Sequence, residues 1–256
     1  MRVVAALVRE MLLELLRKKD FYVLLILMLV LLGFFSAQSF FDIEGISRYM
    51  RDFGYTLVML LSFVVTVTFS ARQIPSEIES GTIYPLLAKP VSRFMLVFGK
   101  FCGAVVISTV TFTLYFGVFI LFCFIDSGGA ELILLAQSFL FGILFLSVVS
   151  ALTVFFSVFL TTSANVAVTF LLYFFMISFS DILRDAFLAA KGVAAAGLGV
   201  VFYLLPHFNF FDLRVRLTHA WDPLPAWVVI VVTAYAVVYC AGLLFFAGRL
   251  FGRKKL

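Results

Sequence analysis

From Phe21 to Phe41 the chain carries no charged residue, and the pattern recurs over Phe53–Ala71, Phe101–Ile125, Leu132–Ser180, Gly192–Phe211 and Pro223–Gly248. A helix needs about 20 apolar residues to cross a hydrocarbon core of roughly 30 Å. In lipid every backbone polar group must be satisfied internally, which leaves helices and closed barrels, and continuous apolar runs mean helices. Leu132–Ser180 is long enough for two crossings, with Thr161–Asn165 as the turn between them. Charged residues make up 13% of the chain against 64% hydrophobic ones, too few to cover a soluble domain of this length. The expected fold is therefore an all-α integral membrane protein, one domain over residues 1–256 with six transmembrane helices.

Lysine and arginine set the orientation. With both termini inside, the cytoplasmic parts hold Arg2, Arg9, Arg17, Lys18, Lys19, Arg72, Lys89, Arg93, Lys100, Arg249, Arg253, Lys254 and Lys255. The outer parts hold fewer basic residues and most of the acids, among them Asp52, Asp181, Asp185, Asp212 and Asp222. The isoelectric point near 9.2 then reflects anchoring in the membrane and requires no nucleic acid. Counting Gly192–Phe211 as a further span would turn Arg253–Lys255 outward. That run is short before Pro206 and rich in Gly and Ala, so it reads as a partly inserted outer segment before the last span, within an outer region 181–223. Residues 1–20 gather Val4, Val8, Met11, Leu12, Leu15 and Leu16 on one side, opposite Arg2, Arg9, Glu10, Arg17 and Lys18. Such a pattern fits an amphipathic helix in the inner interface, or else a charged start to the first span. Arg9, Glu10, Glu14 and Arg17 also break any apolar region of a cleavable signal peptide.

Several chemistries find little support. Cys102, Cys123 and Cys240 lie within apolar runs and form no Cys-x-x-Cys pair, so they read as small buried hydrophobes. No Gly-x-x-x-x-Gly-Lys-Ser/Thr sequence is present to cradle nucleotide phosphates. Ionisable residues are confined to the ends of the spans, against a proton- or sodium-driven carrier. His207 and His219, with Asp212 and Asp222 nearby, do not match a known metal-ligand spacing. Asp181 and Asp185, one helical turn apart, resemble the diacid of prenyl-diphosphate enzymes, but with Arg184 between them they suit the end of a span. Of the 34 phenylalanines, Phe170, Phe174 and Phe179 could line an apolar route, packing being the default reading.

The stretch 72–93 is the polar loop of the cytoplasmic side. Ser76-Glu77-Ile78-Glu79 has the form of a capping box, with Pro75 ending the preceding segment, Ile83, Leu86 and Leu87 facing inward, and Pro90 stopping the short helix. Glu77-x-Glu79-x-Gly81-Thr82-Ile83, Leu86-Leu87, then Lys89-Pro90-Val91-Ser92-Arg93 with Lys100 seven residues on, resembles the permease subunits of type-2 ABC transporters. The resemblance extends to the plan of a basic amphipathic N-terminal helix, six spans and a partly inserted outer segment.

It implies that the 72–93 stretch is a coupling helix docking on a separate ATP-binding subunit. Glu77, Glu79, Gly81 and Thr82 match its acidic and Gly-Thr part, and Pro90, Ser92 and Arg93 its far end. The helix carrying Arg9, Glu10, Glu14 and Arg17 would pack against the same ATPase. The chain itself would be no enzyme and hold no cofactor, ATP and magnesium residing on the partner. A second permease subunit, identical or not, would complete the pathway in a plasma (bacterial inner) membrane. Export of a lipid-like, drug or other hydrophobic compound is the first expectation. An ABC-coupled assembly or maturation factor acting on an outer-side protein is the alternative, and an intramembrane prenyltransferase-type enzyme the third.

Overall fold

The computed structural model describes residue 13 and residues 19–38, 46–79, 93–127, 132–190 and 192–253. Among these every regular element is helical. In chain order they are α1 (Lys19–Gln38), α2 (Ile46–Ala71), α3 (Pro75–Glu79), α4 (Arg93–Ser127), α5 (Leu132–Ser157), α6 (Thr162–Ala189), α7 (Val193–Leu204), a 3-10 turn (Phe208–Phe211), α8 (Arg214–His219) and α9 (Ala226–Arg253).

Five helical stretches are long and apolar enough to cross a membrane: Arg51–Glu79, Arg93–Phe124, Leu132–Ser157, Thr162–Ala189 and Ala226–Arg253. The apolar part of α1, Phe21–Phe34, is shorter than those. The Gly192–Phe211 run is no span: α7 has 12 residues, about 18 Å of helix, and it turns back along α6. Gly192, at a φ of 63°, makes that reversal in a backbone region where a side chain would be strained. Phe187 of α6 stacks on Phe202 of α7 at 5.5 Å and closes the pair.

α2 is the packed centre, touching α1, α4, α5, α6 and α8, while α9 lies along α5 and α4. Apolar side chains gain nothing by leaving lipid for protein, so helix association rests on close packing and buried hydrogen bonds. Aromatic rings supply much of the packing. Phe63 of α2 stacks on Tyr173 of α6 at 4.2 Å and meets Phe170 edge-on at 5.0 Å. Phe145 of α5 and Phe208 of the 3-10 turn close the same cluster, 5.5 Å apart. A second cluster of Ile74, Leu96, Val97, Val154, Leu244 and Phe251 fills the opposite end of the bundle. α6 and α9, by contrast, keep long apolar faces exposed, including Leu171, Ile182, Ile230 and Val238.

Polar bonds fix particular helix pairs. Asn165, expected in the turn after α5, lies inside α6 and is fully buried. Its amide donates to Thr153 O of α5 at 2.9 Å and its Oδ1 accepts from Thr169 at 3.3 Å. The turn instead falls at Val158–Thr161. An asparagine can enter the apolar helix because α5 satisfies its amide, and composition alone does not register that partner.

Gly142 of α5 is where α4 comes closest: a Cβ there would meet Phe112 Cζ at 2.2 Å. Phe112 is fully buried and stacked on Phe139 at 5.6 Å, so its ring has nowhere to move. Gly142→Ala should cost about 1–3 kcal/mol as an overpacked contact, seen as a lower unfolding midpoint of the purified chain. Gly117→Ala, where a Cβ meets nothing within 4 Å, should not lower the midpoint.

Candidate functional site

The two ends of the bundle are built differently. At one end α2 passes through a turn at 72–74 into α3, with Pro75 as its first residue. Proline has no N–H and removes one helical bond, which loosens the path without ending it. Ser76 N–H donates to Arg72 O at 3.0 Å and Ile78 N–H to Ile74 O at 3.2 Å, carrying the helical course on. Ser76 is thus the second residue of the short helix, its hydroxyl donating back to Arg72 O at 2.6 Å. The capping box read from Ser76 and Glu79 is not formed, because the chain arrives already helical from α2.

Glu77 turns inward and pairs with Lys100 of α4. Their side chains are 17% and 6% exposed, so this is a buried ion pair. Glu77 Oε2, also buried, finds no further hydrogen-bond partner among the described residues. Glu79, the other acid, is exposed. Arg93, the first residue of α4, sends Nη1 to Phe251 O at 3.1 Å and Gly252 O at 3.3 Å. Those carbonyls belong to the last turn of α9, where no helical N–H follows and a cation is favoured. Both feet of the 80–92 segment are therefore clamped, one through Glu77 to α4 and one through Arg93 to α9. Gly81, Thr82, Pro90 and Ser92, like Arg9, Glu10, Glu14 and Arg17, lie outside the described residues.

Lys100 is the residue whose role sequence reasoning missed. It counted there as an inner-side cation and as the end of the family motif, with no partner assigned, seven residues after Arg93 and two turns along a helix. That spacing was the available signal, since it puts both cations on one side of α4.

The opposite end is tied by α7, the 3-10 turn and α8. Asp52 of α2 lies 3.6 Å from Arg214 Nε and accepts a hydrogen bond from Thr218 at 3.4 Å. Gln137 of α5 exchanges two 2.8 Å hydrogen bonds with the backbone of Leu224, its amide donating and its carbonyl accepting. Tyr235 of α9 accepts from His207 N–H at 3.0 Å, and Tyr239 donates to Leu204 O at 2.9 Å. Burial among Phe202, Phe210 and Tyr235 lowers the His207 imidazole below its ordinary pKa. His219 Nδ1 lies 3.0 Å from Val215 O. Asp181 and Asp185 flank Arg184 at 3.5 and 3.2 Å, all three exposed. Among the described residues no three His, Cys, Asp or Glu side chains group closely enough to hold a metal.

Beneath this end lies a cavity of about 280 Å³ between α2, α5, α6 and the 208–214 segment. Phe174 lines it. Phe170 stands beside it in the packed cluster on Phe63, and Phe179 stacks on Phe175 at 5.2 Å along an exposed face. Of the three phenylalanines singled out from the sequence, the structure therefore brings one to the cavity. Tyr55, Phe208 and Phe211, which also line it, were not counted as part of a route.

Compared with known families, residues 6–256 match the family model described as ABC-2 family transporter protein. No curated protein matches the chain.

Removing one partner of a buried pair leaves the other charge uncompensated, which costs about 3–5 kcal/mol. Lys100→Met should therefore lower the unfolding midpoint of the purified chain strongly. The double variant Lys100→Met/Glu77→Leu should recover most of the loss, because an apolar pair replaces the ion pair without leaving a bare charge. A double variant no more stable than Lys100→Met would mean that the two side chains do not depend on each other.

Proposed function

The chain belongs to the ABC-2 family of transporter proteins, a type-2 ABC permease integral to the membrane, and we propose that a separate ATP-binding subunit drives it through the segment between α2 and α4. The observation that carries this reading is the pair of clamps on that segment, Glu77 with Lys100 and Arg93 with the end of α9. A soluble subunit pushing on the segment would meet two braced feet and move α2, α4 and α9 together.

In this proposal the Glu77 end and both termini face the cytoplasm, in keeping with Arg72, Arg93, Arg249 and Arg253 at that end. α1 makes the sixth crossing, residues 1–20 lie in the inner interface, and α7 with the 3-10 turn dips into the outer leaflet. The membrane is the plasma (bacterial inner) membrane. Two permease subunits share the pathway, and ATP with magnesium binds the partner alone. The exposed apolar faces of α6 and α9 leave room for lipid and for a second subunit. The compound moved is hydrophobic and leaves the cell.

The acids of the segment divide their work. Glu79, exposed, makes the contact with the ATPase together with Gly81 and Thr82, whereas Glu77 positions the segment from within. Purifying the tagged chain from its host in mild detergent should bring an equal number of subunits carrying a Gly-x-x-x-x-Gly-Lys-Ser/Thr sequence, identified by intact mass and peptide sequencing. Glu79→Lys should lower that recovery at least tenfold without lowering the unfolding midpoint of the chain. Full recovery with Glu79→Lys would remove the contact role, and a chain recovered alone would remove the proposal.

A further inference from the structure

Between α4 and α9, backed by α5, runs an apolar groove of about 510 Å³. Phe94, Phe98 and Phe101 of α4 form one wall, spaced by about one helical turn. Val237, Ala241 and Phe245 of α9, four residues apart, form the other. Phe94, Phe98, Val237, Ala241 and Phe245 are exposed, whereas Ala236, Cys240 and Leu244 behind them are buried, which makes the feature an open trough. Its one hydroxyl, on Ser147, already donates to Ile143 O at 2.8 Å. No charged side chain lines it among the described residues. The lining asks for hydrocarbon alone.

Its length and level match one leaflet. From Ala236 to Phe245 the groove follows α9 for about 14 Å, close to half of a hydrocarbon core of roughly 30 Å. Gly248 closes it at one end: a Cβ there would meet Phe94 Cδ2 at 2.5 Å, so the ring lies against α9. Arg249 follows at once. Trp227, exposed near the start of α9, suits the other interface, where indole rings anchor. The uncharged course Trp227–Gly248 is about 33 Å long. That is the thickness of the hydrocarbon core, and it puts Arg249 at the level of the lipid phosphates.

Arg249 is also held at this end of the groove. Its guanidinium lies 4.8 Å from the centroid of Phe245, a wall residue, in a contact favoured by the ring quadrupole. Three other cations of that end are engaged: Arg72 with Thr68 O, Arg93 with the carbonyls of α9, and Lys100 with Glu77. Arg249 meets no carboxylate among the described residues, which leaves its N–H groups open to an acceptor. Arg253, exposed and one turn further on, adds a second positive charge on the same side of α9.

A trough one leaflet deep with an unpaired cation at phosphate level fits both parts of a lipid. A flexible chain supplies the contacts that the bare trough lacks, and a basic group at its end favours an anionic head. We propose that this groove holds one acyl chain of an anionic phospholipid, whose phosphate accepts hydrogen bonds from Arg249. An uncharged hydrophobic compound would leave Arg249 unused, and a free phosphate would leave the trough unfilled. Placing the lipid in the inner leaflet rests on the orientation proposed above; the site itself does not.

Phosphatidylglycerol and phosphatidylcholine with equal chains offer the same tails and one phosphate each, and differ in net charge. The full chain, without any ATPase, is titrated with each in an uncharged detergent, and bound lipid is counted by native mass spectrometry. One phosphatidylglycerol per chain is expected, held at least fivefold more tightly than phosphatidylcholine. Arg249→Gln should weaken it about tenfold, the worth of a charge-assisted hydrogen bond, and Arg249→Lys should weaken it less. Ala241→Trp, at an exposed position, should fill the trough and abolish binding of either lipid without lowering the unfolding midpoint of the lipid-free chain. Arg184→Gln, at the opposite end of the bundle, should change nothing. Equal binding of the two lipids would overturn the proposal, as would binding unchanged by Arg249→Gln and Ala241→Trp. So would a dimer that Ala241→Trp takes apart, since a second copy would then cover the groove. Because no partner subunit takes part, a negative result here leaves the ATPase-driven reading standing, and loss of the co-purifying subunit leaves this site standing.

Discussion

The packing of α2 against five other helices organises the rest of the molecule. In lipid an apolar helix has no reason to leave the bilayer for protein, so a helix surrounded by five others must be held by fit and by satisfied polar groups. α2 has both. Tyr55, Val58, Phe63 and Val67 are in contact with other helices around its length. Its ends are tied by Asp52 to Arg214 and, past Pro75, by Glu77 to Lys100. The threonines along it keep their hydroxyls on its own backbone, Thr66 to Ser62 O at 2.7 Å and Thr68 to Val64 O at 2.8 Å, whereas the buried hydroxyls of Tyr55, Ser62 and Ser70 find no partner among the described residues.

The distribution of charged pairs follows from the same physics. A buried ion pair is tolerated where both charges are matched and where the membrane centre is avoided. Glu77–Lys100 sits close to where α3 ends and within the first turns of α4, and the Asp52–Arg214 contact, partly exposed, sits at the start of α2. Between them the bundle relies on aromatic contacts and on amide bonds such as Asn165 to Thr153, which bring no charge into the hydrocarbon. The cross-links are thus graded: ionic at the ends, amide and aromatic inside.

Much of the helical layout was legible from uncharged run length, because the bilayer imposes one scale on every crossing. α4, α5, α6 and α9 fall where the runs predict, and the 192–211 run is too short to cross. What escaped were features whose partner lies far along the chain or outside the local pattern. Ser76 and Glu79 match a cap in isolation, but the cap is not needed when α2 continues through Pro75. Glu77 looks like a second surface acid until Lys100, 23 positions on, is folded against it. Gln137 and Leu224 are 87 positions apart and carry no shared motif. The cavity was missed for a related reason: in a chain with 34 phenylalanines a helical row of rings says little, and the cavity draws its walls from α2, α5, α6 and the 208–214 segment at once.

The clamp and the cavity share one element. Residues 51–79 form one apolar helical course of 29 residues, about 43 Å at 1.5 Å per residue. Glu77 lies near one end of it, and Tyr55, Thr56, Met59 and Leu60 lie near the other, in the cavity wall. A packed helix transmits displacement as a rigid body except where its hydrogen bonds are interrupted, and the interruption here is at 72–75, next to the clamp and far from the cavity. Tilting the α3 foot would therefore do one of two things. If the Glu77–Lys100 pair holds, α2 and α4 move together and the cavity wall moves with them against α6. If it parts, the bend at Pro75 absorbs the motion and the wall stays where it is. The buried pair thus decides whether a tilt of α3 reaches the aromatic cavity. Its place is just beyond the loosened point of the helix, where it adds a tertiary bond to the few backbone bonds that cross Pro75.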